Sequence, residues 1–152
     1  MTRRSENPEI LQLLHQEHEE VQELFEQFHK SMSTKNGQNK ANSLAKQIFD
    51  DLKLHTELEE KLVYPELKEQ DATVFYEAGE EHHVVDLLIE ELEQMEVSAP
   101  EYSAKMTVME ENVNHHIQEE ESEVFDRLRR LSAETLEKMA EDWIKQKERA
   151  QR

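Results

Sequence analysis

Two glycines and three prolines are all that this chain of 152 residues offers for making turns. An all-β chain needs a turn every few residues, so a sheet of short strands is excluded and long helices are required. The apolar residues recur at steps of three and four, the period of one helix face. Asn7-Pro8-Glu9 reads as a cap followed by proline in the first helical turn. It opens a helix expected over about 8–32. The polar stretch 31–42, which holds Gly37, reads as a loop, and a second helix is expected over about 42–70. Pro65, near its end, should kink or close it. Asp71 can cap a third helix reaching about Glu96. Ser98-Ala99-Pro100-Glu101 starts a fourth, expected to end near Leu131, and Ser132 can cap a fifth over about 133–148. Helices of about 25 residues joined by short loops pack antiparallel with their sequence neighbours. The expected fold is all-α: an up-down-up-down four-helix bundle over 8–131 with an additional short C-terminal helix over 132–149, the whole chain forming one domain.

The first stripe reads Leu11, Leu14, His18, Val21, Phe25, Phe28, Met32, and the third helix reads Phe75, Ala78, His82, Val85, Ile89, Leu92. Leu11 and Phe75, His18 and His82, and Phe28 and Leu92 all stand 64 apart. The second helix reads Leu44, Ile48, Leu52, His55, Glu59, then Leu62 or Val63, and the fourth reads Met109, Val113, His116, Glu120, Val124. Here the spacing is 61 throughout, as in His55 and His116 or Glu59 and Glu120. The chain is therefore a doubled two-helix unit, and the polar residues that interrupt its core stripes fall at equivalent places in both copies.

A single histidine on an apolar face is ordinarily a hydrogen-bonded core residue. Four of them with two carboxylates demand more, because an unpaired ionised Glu inside a bundle costs several kcal/mol against a net stability of about 5–15 kcal/mol. Burial also penalises a protonated imidazole, so a bound cation is the better counter-charge. His55 and Glu59, like His116 and Glu120, are four apart and lie one above the other on a helix face. His18 and His82 should reach the same layer. The set of four imidazoles and two carboxylates suits iron, manganese or zinc. Two octahedral ions offer about twelve positions, of which these six residues fill about eight if both carboxylates bridge, and the size of the set leans toward iron.

These motifs, Glu17-His18, His55-x-x-x-Glu59 with Val63-Tyr64-Pro65, Glu81-His82, and His116-x-x-x-Glu120 with Val124-Phe125, resemble the hemerythrin-like family, also called the HHE cation-binding domain, over about residues 8–131. The resemblance implies a carboxylate-bridged, oxo- or hydroxo-bridged non-haem di-iron centre. His18, His55, His82 and His116 would be terminal ligands, Glu59 and Glu120 would bridge, and O2, peroxide or nitric oxide would be the small-molecule ligand. Oxygen carriers of this family have a second His four residues after the one on the third helix, where this chain has Asp86. Their fourth-helix carboxylate is an Asp one residue beyond Glu120. Both departures point away from reversible oxygen carriage and toward peroxide decomposition or nitric oxide handling. Asp86, Glu81 and Tyr64 are candidates to complete the coordination. An iron-sensing or iron-storing module without turnover is the alternative, and a metal-free bundle with paired histidines a third.

Other signals carry less. Glu26-x-x-His29 and Glu80-x-x-His83 have ferritin-type spacing but lie off their stripes and share no layer. His15, His83 and His115 read as surface residues, and of Glu119, Glu120 and Glu121 only Glu120 is in phase with the core. The formal charge of −18 is the wrong sign for nucleic acid or an anionic membrane surface. With no cysteine, thiolate chemistry is excluded. No apolar run approaches the roughly 18 residues of a membrane span, and a cytoplasmic location is expected.

Overall fold

The computed structural model describes residues 7–151, and all of its regular structure is helical. Helix α1 spans Glu9–Met32 and α2 spans Gln38–Leu58. A π-helical turn, Glu59–Val63, joins α2 to α3, Tyr64–Gln70, in one continuous rod. Helix α4 spans Ala72–Glu93. Helix α5, Pro100–Glu119, runs through a second π-helical turn, Glu120–Val124, into α6, Phe125–Leu128. Helix α7, Ala133–Ala150, follows. The four long rods form the bundle, and α7 lies across α1 and α2.

Start signals act much as the sequence dictates. The Asp71 side chain accepts the Val74 amide at 3.2 Å and opens α4, and the Ser132 hydroxyl accepts the Thr135 amide at 3.1 Å and opens α7. At Asn7 the side chain caps nothing, and its carbonyl instead accepts from the Gln12 amide group at 2.7 Å. Helix α2 begins at Gln38 rather than near Asn42. Ala41 is fully buried and extends the stripe of Leu44, Ala45 and Ile48 by a turn, so packing holds a polar turn that propensity alone would leave as loop. Gly37 permits the tight connection, since a Cβ there would collide with the Ser31 carbonyl.

Pro65 neither ends its helix nor bends it alone. The irregularity is the π turn that precedes it, and the same turn recurs at the equivalent five residues of the other copy, where Asp126 takes the proline's place. Proline is thus not its cause. Both π turns begin at a buried glutamate, and single π turns inside α-helices are common at functional sites.

The core divides into two apolar clusters. One gathers Val21, Phe25, Phe28, Ile48, Phe49, Ile89, Met106 and Met109; the other gathers Ile10, Leu14, Leu58, Tyr64, Leu67, Leu128, Met139 and Trp143. His18 follows Leu14 of the second cluster and precedes Val21 of the first. The buried polar side chains His18, Glu59, His82 and Glu120 thus occupy the seam between two apolar masses.

Candidate metal centre

The six residues picked out by the doubled pattern converge in that seam. His18 Nε2, His55 Nε2 and one carboxylate oxygen each of Glu59 and Glu120 all lie within 4.8 Å of one another, and Glu59, His82 and His116 form a second such group. Glu59 and Glu120 are 0% and 1% exposed. Each presents one oxygen to each half: Glu59 Oε2 stands 3.0 Å from His55 Nε2 while its Oε1 stands 3.1 Å from His82 Nε2. Glu120 Oε1 stands 3.0 Å from His18 Nε2, and its Oε2 is 3.3 Å from His116 Nε2.

The outward nitrogen of every one of these rings meets a carboxylate. His18 Nδ1 donates to Glu121 at 2.7 Å, His55 Nδ1 to Glu17 at 2.8 Å, His82 Nδ1 to Glu60 at 2.8 Å and His116 Nδ1 to Glu81 at 2.6 Å. An ionised carboxylate only accepts, so each Nδ1 carries a proton and each Nε2 is the nitrogen that turns inward, donating where the ring is charged and offering a lone pair once it is neutral. This carboxylate–imidazole arrangement fixes tautomer and ring orientation around a metal. The outer glutamates obey the duplication as well: Glu17 and Glu81 are 64 apart, and Glu60 and Glu121 are 61 apart. His18 and His82 each reach for the outer glutamate of the opposite unit, so the two units are locked together across the centre.

The inner atoms are left with an electrostatic problem. His18 Nε2, His55 Nε2, Glu59 Oε2 and Glu120 Oε1 are buried with no hydrogen-bond partner, although nitrogen and oxygen approach to 3.0 Å. At that separation the distance suffices for a hydrogen bond, so it is the alignment that fails. Two donors at about 2.1 Å from one ion and at right angles to each other would stand about 3.0 Å apart. The residues present therefore fit a metal ion, which would satisfy all four atoms together, whereas a proton on one ring serves a single pair.

Charge tells the same story. Burial disfavours a charged His55 ring, yet Glu59 and Glu17 outweigh it and push its pKa up to about 10. His82 and His116 are raised against the same opposition, chiefly through Glu59 for His82 and Glu120 for His116. Glu17, whose burial alone would raise it, is drawn down to about 2 by His55, Lys147 and Trp143. Protons are thus held where a cation belongs, and a metal ion entering the site would displace them.

A model of the family described as Hemerythrin HHE cation binding domain matches residues 9–128. The chain belongs to this family. A relative, a protein of Nostoc sp. described as a DNA nickase, is 30% identical over 112 residues, which cover 69% of this chain and 30% of that protein. The chain thus spans under a third of that relative's length. No solved structure gives a significant match.

Within the hemerythrin domain the two halves differ at the inward position that follows the two π turns. Tyr64 and Phe125 are 61 apart and follow the two π turns. In a regular α-helix Tyr64 would sit about 140° around from Glu59, since each residue turns about 100°. The π turn, closed by the Tyr64 amide on the Glu59 carbonyl, returns Tyr64 to the glutamate's side. Its hydroxyl lies 2.7 Å from Glu120 Oε2 and 3.2 Å from Glu59 Oε1, His82 Nε2 and His116 Nε2. Burial, then the two glutamates, push the phenol pKa well up. Phe125 fills the matching place beside His18 with no polar atom.

Of the other residues considered for coordination, Glu81 is engaged with His116 Nδ1, and Asp86 lines a separate surface groove with Lys53, Glu57 and Glu60. Glu121 corrects the sequence reading: it is not a solvated face but the partner of His18, and it also accepts from His15 at 2.8 Å. The equal spacings of Glu17 with Glu81 and of Glu60 with Glu121 were the signal that could have found the outer carboxylates. His29 pairs with Glu110 and His115 with Glu119, both away from the centre.

A cavity of about 430 Å³ adjoins all four histidines and is lined by apolar residues such as Val21, Leu52, Val85 and Val113 together with charged ones such as Glu20, Asp51 and Lys147. No described helix is long and apolar enough to cross a membrane.

Proposed function

We propose that this hemerythrin domain holds two iron ions bridged by Glu59 and Glu120, and that it binds O2, peroxide or nitric oxide there, with peroxide decomposition as its turnover. His18 and His55 would hold one ion, and His82 and His116 the other, with Tyr64 beside the second. The observation that carries the reading is the set of four buried, unpartnered atoms of His18, His55, Glu59 and Glu120, with Glu59, His82 and His116 grouped beside it. The donor set of imidazole and carboxylate agrees with iron.

When bound, such a pair of ions supplies electrons in exchange with an oxygen- or nitrogen-centred ligand. The chain's own part is positional. The four outer glutamates keep every Nε2 lone pair turned inward, and the apolar clusters on either side exclude bulk water. The adjoining cavity gives a small molecule room beside all four histidines. The Tyr64 hydroxyl, the one neutral proton donor among the inner atoms, can give a hydrogen bond to a ligand seated in the second half. That open cavity favours ligand binding over iron storage, for which none is needed. The activity named for the Nostoc relative is that of a far longer protein, and a charge of −18 repels phosphate backbones.

Metal analysis of protein purified without added metal tests the proposal, together with the near-ultraviolet absorption of an oxo-bridged ferric pair. Close to two irons per chain is expected, and close to none would refute it. Oxygen release on adding peroxide separates turnover from binding or sensing alone.

A further inference from the structure

Helix α7 lies beyond residues 9–128, the stretch matched by the family model, yet it reaches the metal centre. Trp143 is fully buried, and its Nε1 donates to Glu17 Oε2 at 2.8 Å. One turn on, Lys147 Nζ donates to the same oxygen at 2.9 Å. The other oxygen of Glu17 accepts from His55 Nδ1 at 2.8 Å. The indole and the His55 ring also meet in a T-shaped contact, 5.5 Å between centroids and inclined by 74°. The carboxylate that orients His55 is therefore itself held by two donors from α7, and the ring has a wall behind it.

The other copy has no such support. Glu81, the counterpart of Glu17, orients His116 but has the half-buried Glu119 and the exposed His115 as its further neighbours. The Glu81 side chain is 28% exposed against 13% for Glu17. A carboxylate gripped by a buried indole and an ammonium loses less freedom when it locks an imidazole than one at the surface does.

We propose that α7 is a clamp on the His18–His55 half of the centre, with Trp143 and Lys147 as positioning residues that hold His55 through Glu17 and so set the retention of one ion of the pair. This rests on the two-iron reading above. Orienting groups of this kind alter metal affinity by about 10–100-fold. The ion between His82 and His116 should be indifferent to α7.

The test is the time course of iron loss from the reduced, fully loaded protein into a ferrous chelator. With Lys147→Met, half of the iron should leave about tenfold faster than from the natural protein while the other half keeps its rate. Lys147→Arg should restore the natural course. Glu81→Gln should speed the complementary half. Trp143→Phe combined with Lys147→Met should enlarge the effect; should that double variant fail to fold, the lysine variants still decide. Melting of the metal-free proteins is followed in parallel. A role in general stability alone would lower the metal-free Tm and speed both halves together. Equal acceleration of both halves, or no acceleration, overturns the clamp. Natural protein carrying no iron overturns the two-iron reading instead, and the clamp with it.

Discussion

The half of the centre built on His18 and His55 and the half built on His82 and His116 come from the same two-helix unit, yet they have been finished differently. In the first, the inner position is the apolar Phe125, the outer carboxylates Glu17 and Glu121 are 13% and 27% exposed, and α7 closes the back. In the second, the Tyr64 hydroxyl stands among the donors, and the outer carboxylates Glu81 and Glu60 are 28% and 53% exposed. Duplication supplied two equal sets of inner donors. The difference teaches that the surroundings, and not the donors, would distinguish the two proposed ion positions: one is braced by α7, and the other has more exposed outer carboxylates and a proton donor.

The largest effect should come from what the halves share. Glu59→Ala removes a donor from both at once and should abolish metal loading altogether, as read by iron per chain, whereas His29→Ala, out on the surface, should load normally. Equal effects would break the layer assignment.

Next come the outer carboxylates. Glu60→Gln should weaken retention in the second half alone by about 10–100-fold, and Glu121→Gln should do so in the first, each measured by competition with a chelator. Were either to act on both halves, the independence of the two positions would fail.

Smaller again is Tyr64→Phe, which makes the second half resemble the first. Iron content should stay unchanged. The metal-free protein should lose about 1 kcal/mol in denaturant unfolding, because Glu120 Oε2 loses its donor at 2.7 Å.

The smallest effect lies outside the centre, where α4 of the second unit is anchored by Asp71. The Val74 amide, and after it the Arg127 guanidinium at 2.7 Å, hold the Asp71 carboxyl below its usual 3.8. A lowered carboxyl stabilises the fold above its unfolded pKa and ceases to do so as pH falls through its folded value. Asp71→Asn should therefore lower the Tm slightly near about pH 6, and the gap should close as the pH falls through the lowered pKa of the folded carboxyl.

Much of the site is legible in the sequence. A helix face repeats every 3.6 residues, so His18, His55, Glu59, His82, His116 and Glu120 could be placed in the core from spacing alone, and the doubled offset tied them to one layer. The outer glutamates were less visible because an acidic residue beside a stripe looks the same whether it faces water or a histidine. Glu121 is such a case: it meets His18, 103 positions away, only across packed helices. The start of α2 was misplaced because Ala41, a small residue in a polar stretch, declares itself as core only when a neighbouring helix covers it.

The chain's own order of residues determined that it is all-helical, that it is a doubled unit, and which six donors turn inward, since all three follow from local period and scarcity of turn formers. Only the packed molecule decided that His18 is held by Glu121, 103 positions away, that Tyr64 and not Phe125 enters the donor layer, and that α7 returns to grip Glu17. Helical periodicity is set within a few residues of each position. These contacts depend on how whole rods lie against one another, and that is fixed by the sum of burial over the entire core.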